Sequence, residues 1–214
     1  MTNFRFTRPE RFPPIVKNLI ILNVLAWIAQ LSLDAQYQVT MKGALWPVAS
    51  PNFEPYQVFT SMFLHATPFE NFFHILFNMF ALFMFGRVLE NVWGPKRFLF
   101  FYLVCGVAAA AAHLIMQHFM GGYPYIPAVG ASGAVMGVLV AFGYLFPNTE
   151  LMIIPIPIPV KAKWVVIGYV LLDLFGGFGK VANDNVAHFA HLGGALVGFI
   201  IVLIWNKTNK RTLY

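Results

Sequence analysis

Residues 187–205 read AHFAHLGGALVGFIIVLIW. The run carries no Asp, Glu, Lys or Arg and matches the length of about 20 residues that a helix needs to cross the hydrocarbon core of a bilayer. It nevertheless holds His188 and His191 near its start, and Gly194 and Gly198 four residues apart. An ionisable group at membrane depth is costly and asks for a partner. Glycines at i and i+4 give a helix a face that a second backbone can approach closely.

Working outward, five more apolar runs precede this one: about 15–33, 71–89, 98–116, 131 to just before Pro147, and 164–178. The chain of 214 residues is 59% apolar and 10% charged, against about 25% charged in soluble domains. One soluble core of this size cannot bury that excess, so the expected solvent is lipid. The fourth and fifth runs are short for full spans, which suits helices that start below the membrane surface against protein or a water-filled cavity. With the N-terminus inside, twelve of the 14 Lys and Arg residues fall in cytoplasmic segments, and Lys42 and Lys180 alone fall outside. This bias predicts six spans with both termini in the cytoplasm.

The net charge of +6 does not indicate nucleic acid, because the basic residues sit between apolar runs and form no continuous stripe. The single Cys105 excludes an intramolecular disulfide and a multi-cysteine zinc site. The first 14 residues contain acid and proline and little serine, unlike a transit peptide, and the first apolar run is read as retained. Residues 35–68, with Trp46, Pro47, Pro51, Phe53, Pro55 and Tyr56, are expected to form a structured piece at the outer interface. Tyr123, Pro124, Tyr125, Ile126 and Pro127 read as a turn-rich outer loop, and Pro155, Pro157 and Pro159 as an extended inner strap.

Three polar clusters sit where lipid is expected. Gly130-Ala131-Ser132-Gly133 opens the fourth run; a serine there is either an N-cap beside small-residue packing of Gly133 and Gly137, or a nucleophile beside free backbone N–H groups. His188 and His191 open the sixth run. Close approach of the Gly133/Gly137 and Gly194/Gly198 faces would bring Ser132 and His191 together, where the imidazole can take the serine proton and later protonate a leaving amine; His188 reads as structural or interfacial. His74 and Asn78, at i and i+4 in the second run, are either an interhelical polar clamp or donors to an oxyanion. His74, His188 and His191 could in principle gather round zinc, but H-E-x-x-H is absent and the acid near the histidines in sequence is Asp184. No metal and no cofactor is expected. Asp173, in the fifth run, is expected to face the interface or a cavity, and no acid is expected to orient His191.

H-I-L-F-N at 74–78, G-A-S-G at 130–133 and A-H-L-G-G-A-L-V-G at 190–198, in this order on the second, fourth and sixth runs, resemble the rhomboid family of intramembrane serine proteases. Gly86, Glu90 and Gly94 fit the same pattern. The resemblance implies an all-α, six-transmembrane-helix bundle over residues 15–205, flanked by cytoplasmic segments 1–14 and 206–214. It further implies a dyad of Ser132 as nucleophile and His191 as base, without an acidic third member. The oxyanion hole would be the Ser132 N–H with His74 and Asn78. The family spacing A-H-x-x-G-x-x-x-G selects His191 over His188 and includes Gly194 and Gly198. The chain departs from the family at Tyr56-Gln57, where many members carry Trp-Arg in the outer loop, and at Met136, where many place an aromatic ring beneath the histidine. The partners implied are the lipid bilayer and transmembrane protein substrates cut near the outer face. The alternative function is a rhomboid-like protein that binds membrane helices without cutting them. A transporter would need a polar path with paired charges, for which Asp173 is the one candidate. The compact termini point to a bacterial inner membrane.

Overall fold

A computed structural model describes residues 9–119, 127–152, 158–179 and 187–208. In chain order the helices are α1 (Pro14–Tyr37), α2 (Val39–Gly43), α3 (Gln57–Thr60), α4 (Pro68–Ala81), α5 (Arg87–Trp93), α6 (Pro95–Phe119), α7 (Ser132–Leu145), α8 (Ala162–Gly179) and α9 (His188–Thr208). A π-helical stretch, Leu82–Gly86, joins α4 to α5, so that residues Asn71–Trp93 run as one rod after a kink at Asn71. Among the described residues, four helices are long and apolar enough to cross a membrane: α1, the α4–α5 rod, α6 and α9. Helix α7 is shorter, at 14 residues, and α8 has 18. Each of the six apolar runs is therefore helical, within a few residues of the limits set by hydropathy.

The packing is that of a protein dissolved in lipid. Large apolar side chains such as Phe73, Phe77, Leu172, Phe175 and Leu196 point outward and are exposed, while Leu82, Leu89, Phe98, Phe101, Tyr102 and Val138 are fully buried. Helix α7 lies at the centre, with every residue from Gly133 to Gly143 buried. Its glycines are what allow this. A Cβ on Gly133 would fall 2.3 Å from the Ala109 Cβ, and one on Gly137 would fall 2.6 Å from the Cys105 sulfur. Across the α7–α9 contact, a Cβ on Gly194 would fall 1.9 Å from the Gly133 carbonyl oxygen, and one on Gly198 would fall 2.8 Å from the Gly137 Cα. The two small faces meet, backbone on backbone, as the spacing predicts.

Buried polar side chains tie distant segments together. The carboxylate of Glu90 accepts from the N–H groups of Ile15 and Val16, at 2.9 and 2.8 Å. These donors belong to the first turn of α1, which lacks acceptors of its own, and the negative charge complements the positive end of the helix. Gln57 anchors the outer segment at the place where the sequence departs from the pattern it resembles. Fully buried, it donates to the carbonyls of Lys42 and Asn52 and accepts from the Trp46 N–H. Gln30 donates to Thr40 and to the His65 carbonyl and accepts from the His65 N–H. The expected structured piece at 35–68 is thus held by side-chain amides.

In the connection after α7, Pro159 is extended, as the strap reading expects, and it belongs to a paired strand. Strands β1 (Glu150–Met152) and β2 (Pro159–Lys161) pair antiparallel, with Leu151 opposite Val160. Pairing satisfies backbone groups that a lone extended strap would leave to solvent. Pro155 and Pro157 lie outside the described residues, as do Tyr123, Pro124, Tyr125, Ile126, the first eight residues and those after Thr208.

Glu90→Gln is expected to lower the melting temperature, because two charge-assisted hydrogen bonds to buried amides are weakened. Each is worth about 1.5–3 kcal/mol, so the loss should approach about 3 kcal/mol. Thermal melts of the purified protein in detergent check this, and an unchanged melting temperature would remove the Glu90 cap from the stabilising contacts.

Candidate active site

The start of α7 is positioned by the outer segment. Leu45 and Ala128 exchange two backbone hydrogen bonds of 2.9 Å, and the Gly130 N–H donates to the Ser61 carbonyl at 2.9 Å. Gly130 has φ +134°, a conformation that glycine reaches without strain. A Cβ there would lie 2.9 Å from the His74 ring and 3.5 Å from the Ser132 Oγ, so the missing side chain also keeps these two groups close. Ser132 is the first residue of α7. Its N–H has no acceptor within the helix for that reason.

Ser132 and His191 come together although 59 residues separate them. The Ser132 Oγ and His191 Nε2 are in hydrogen-bond contact at 2.8 Å. On the other side of the ring, His191 Nδ1–H donates to Asp173 Oδ1 at 2.9 Å. His188 Nδ1–H donates to the same oxygen at 2.8 Å. Asp173 is 6% exposed. This overturns the expectation that no acid orients His191. Asp173 is remote from both histidines in sequence, but α8 packs against α9 and sets it level with them. Its carboxylate is turned toward the two histidines. The ring of His188 rests on Gly176 of α8, where a Cβ would fall 2.3 Å from its Nε2.

His74 is oriented as well. The Ala66 N–H donates to its Nδ1 at 3.2 Å. An Nδ1 that accepts carries no proton, so the neutral ring holds its hydrogen on Nε2, on the side of the ring next to Gly130. Asn78 is buried, and its Nδ2 donates to the His74 carbonyl at 2.8 Å. One of its two amide hydrogens is therefore engaged within α4 and the other stays available. Met136 packs with Leu139, Val140 and Ala195, one turn along α9 from His191, and with Phe85, Val166 and Val170.

A cavity of about 30 Å³ adjoins Ser132, lined by Gly106, Ala109, His113, Gly130, Gly133 and Ala190 among others. Among the described residues, the three side chains whose ligand atoms could hold a metal are Asp173, His188 and His191, within 4.8 Å of one another. His74 is not one of them.

The arrangement can activate a hydroxyl, orient its base and present donors beside it, and it does so between helices dressed for lipid. A family model for the rhomboid domain matches residues 52–207. The chain belongs to the rhomboid family, and it is an integral, multi-pass membrane protein. It is 30% identical over 131 residues to "Rhomboid protein 1, mitochondrial" of Saccharomyces cerevisiae, covering 61% of this chain and 37% of that protein. It is 26% identical over 193 residues to "Rhomboid-like protease 3" of Toxoplasma gondii, covering 88% and 66%. It is 32% identical over 126 residues to "Rhomboid protease GluP" of Bacillus subtilis, covering 59% and 22%. The matched stretch spans less than two thirds of each of these relatives. With a mitochondrial and a bacterial protein among them, they lend no support to the bacterial inner membrane expected from the termini.

Proposed function

We propose that this protein is a serine endopeptidase that cleaves transmembrane-helix substrates within the bilayer, with Ser132 as nucleophile and His191 as general base. The observation that supports this most is the 2.8 Å hydrogen bond from the Ser132 hydroxyl to His191 Nε2, beside N–H donors at the opening of α7. The Ser132 hydroxyl proton passes to His191 Nε2 as Oγ attacks the scissile carbonyl carbon. The resulting oxyanion accepts from the Ser132 N–H, from His74 Nε2–H and from the remaining Asn78 amide hydrogen. Collapse breaks the C–N bond, and the proton on Nε2 goes to the leaving amine. Water then enters and gives a proton to His191 as its oxygen attacks the acyl carbon, and that proton returns to the Ser132 Oγ as the C–O bond breaks and the new carboxyl terminus leaves.

Six spans with both termini cytoplasmic agree with the distribution of basic residues. Helix α7, at 14 residues, is about 21 Å long against a hydrocarbon core of about 30 Å. Its first residue, Ser132, would then lie below the outer surface, within reach of a substrate helix that unwinds there.

The test is cleavage of a single-pass helical membrane protein by the purified protein in proteoliposomes, combined with covalent labelling by a fluorophosphonate. Cleavage that resists EDTA and phenanthroline, with the label on Ser132, is expected. Chelator inhibition reversed by zinc, or a folded protein that binds the helix and leaves it uncut, overturns the reading.

The donors predict a graded result. A single side-chain oxyanion donor is worth about 10²–10³ in rate and acts on charge that develops in the transition state, so Asn78→Ala and His74→Ala should each lower kcat more than they raise KM. Melting temperatures measured beside kcat separate this from loss of the Asn78–His74 contact. A variant with full kcat would leave its residue a structural clamp.

A further inference from the structure

We propose that Asp173 is a positioning residue for His191, so that the site works as a Ser132–His191–Asp173 triad in which His188 holds the carboxylate in place. This rests on the protease reading above and extends it beyond the Ser–His dyad that the family resemblance implies.

One carboxylate oxygen receives both imidazoles. Asp173 Oδ1 accepts from His191 Nδ1–H at 2.9 Å and from His188 Nδ1–H at 2.8 Å. The two histidines stand three residues apart in α9, on one face, and Asp173 stands in α8 opposite them. An ionised carboxylate accepts and cannot donate, so its contact with His191 requires the proton to be on Nδ1. That leaves the Nε2 lone pair directed at the Ser132 hydroxyl, 2.8 Å away, which is the tautomer a general base needs. When Nε2 takes the serine proton, the imidazolium forms with a negative charge already in contact with its far side. The Nδ1 proton stays on His191 throughout, and Asp173 remains unprotonated.

His188 does for the carboxylate what the carboxylate does for His191. With its side chain 9% exposed, Asp173 has little water to hold it, and a second N–H donor on Oδ1 limits rotation of the group. The place of the His188 ring depends on Gly176, whose hydrogen stands where any Cβ would lie 2.3–2.8 Å from three ring atoms. A carboxylate that only stapled α8 to α9 would need neither the tautomer nor the charge. The continuous line from Oδ1 through the His191 ring to the Ser132 Oγ meets both requirements.

The test compares kcat and KM for wild type, Asp173→Asn and Asp173→Glu on one membrane substrate in proteoliposomes, normalised to folded protein. Asparagine keeps the shape and an acceptor oxygen and removes the charge, whereas glutamate keeps the charge and disturbs the fit. A positioning role through charge ranks Glu above Asn, with kcat of Asp173→Asn down by at least about 100-fold at little change in KM. A purely structural role ranks the isosteric Asn near wild type. His188→Ala should fall between wild type and Asp173→Asn. Should Asp173→Asn fold poorly, nitrogen-15 histidine spectra of the wild type, assigned with His191→Gln, read the tautomer directly. A proton on Nδ1 of His191 is expected. Asp173→Asn within about threefold of wild type, or a resting His191 protonated on Nε2 alone, overturns the triad while the protease reading stands. A wild type that neither cleaves nor takes the fluorophosphonate overturns both.

Discussion

Ser132→Ala should abolish cleavage and leave the helical fold unchanged. In the proposed mechanism the hydroxyl is the atom that attacks, so the variant would retain the oxyanion donors and the substrate site but have nothing to acylate. In a well-studied soluble serine protease, removal of the nucleophile or of the base costs about 10⁶ in kcat, and a comparable loss here would place residual cleavage below detection. Truncation removes one hydrogen bond, to His191 Nε2, in a helix held by its glycine contacts, so the melting temperature should move little. His191→Ala should be equally silent because the hydroxyl then has no base, whereas His188→Ala should retain a measurable fraction. The measurement is cleavage of one membrane substrate by the folded variants, with fluorophosphonate labelling in parallel. Cleavage at the same bond and at a comparable rate by Ser132→Ala would move the nucleophile elsewhere. Equal silence from folded His188→Ala and His191→Ala would reopen the choice of base.

Gly194→Leu should have the largest effect on stability. Even a Cβ at this position would lie 1.9 Å from the Gly133 carbonyl oxygen, and the obstacle is backbone, which cannot rotate away as a side chain can. Helix α9 would have to move off α7, opening the central contact and separating His191 from Ser132. Losses above about 4 kcal/mol are exceptional for one substitution, and this one belongs among them. Gly168 supplies the control. It lies in α8, and beyond the local backbone of its own helix no atom stands within 4 Å of the place a Cβ would occupy, so Gly168→Ala should be neutral or slightly stabilising, since alanine suits a helix interior better by up to about 1 kcal/mol. Yield after size exclusion and thermal melts check the pair. A Gly194→Leu protein that melts with the wild type would mean that the α7–α9 contact is looser than the glycines imply.

Asp173 marks the limit of what could be read in advance. Its position in an apolar run was a visible signal, since an acid at that depth asks for a partner. It also lies near the end of α8, as Ser132 and His191 lie near the starts of α7 and α9. What the run could not convey was direction. Along one helix a side chain's azimuth is known only relative to its neighbours, and the family pattern supplied no acid to expect. Gln57 and Glu90 are similar. Gln57 replaces an arginine common in the family, and the three backbone groups it clamps lie 5 to 15 residues away. Glu90 caps a helix through the N–H of Ile15, 75 residues earlier.

By itself the sequence determined the solvent, the helices and the contact between two of them. Lipid leaves helices as the economical way to satisfy backbone groups in apolar runs, so composition and run length sufficed to locate all six. Glycines repeated every four residues mark close approach on both α7 and α9, so the sequence alone pairs Ser132 with His191. Only the tertiary structure decided which way the polar side chains between helices turn. It joined Asp173 to two histidines, put the His74 proton on Nε2 by way of the Ala66 N–H, and engaged half of the Asn78 amide within its own helix. Those choices depend on the rotation and depth of one helix against another, set by packing among residues far apart in the chain, and no local period records them.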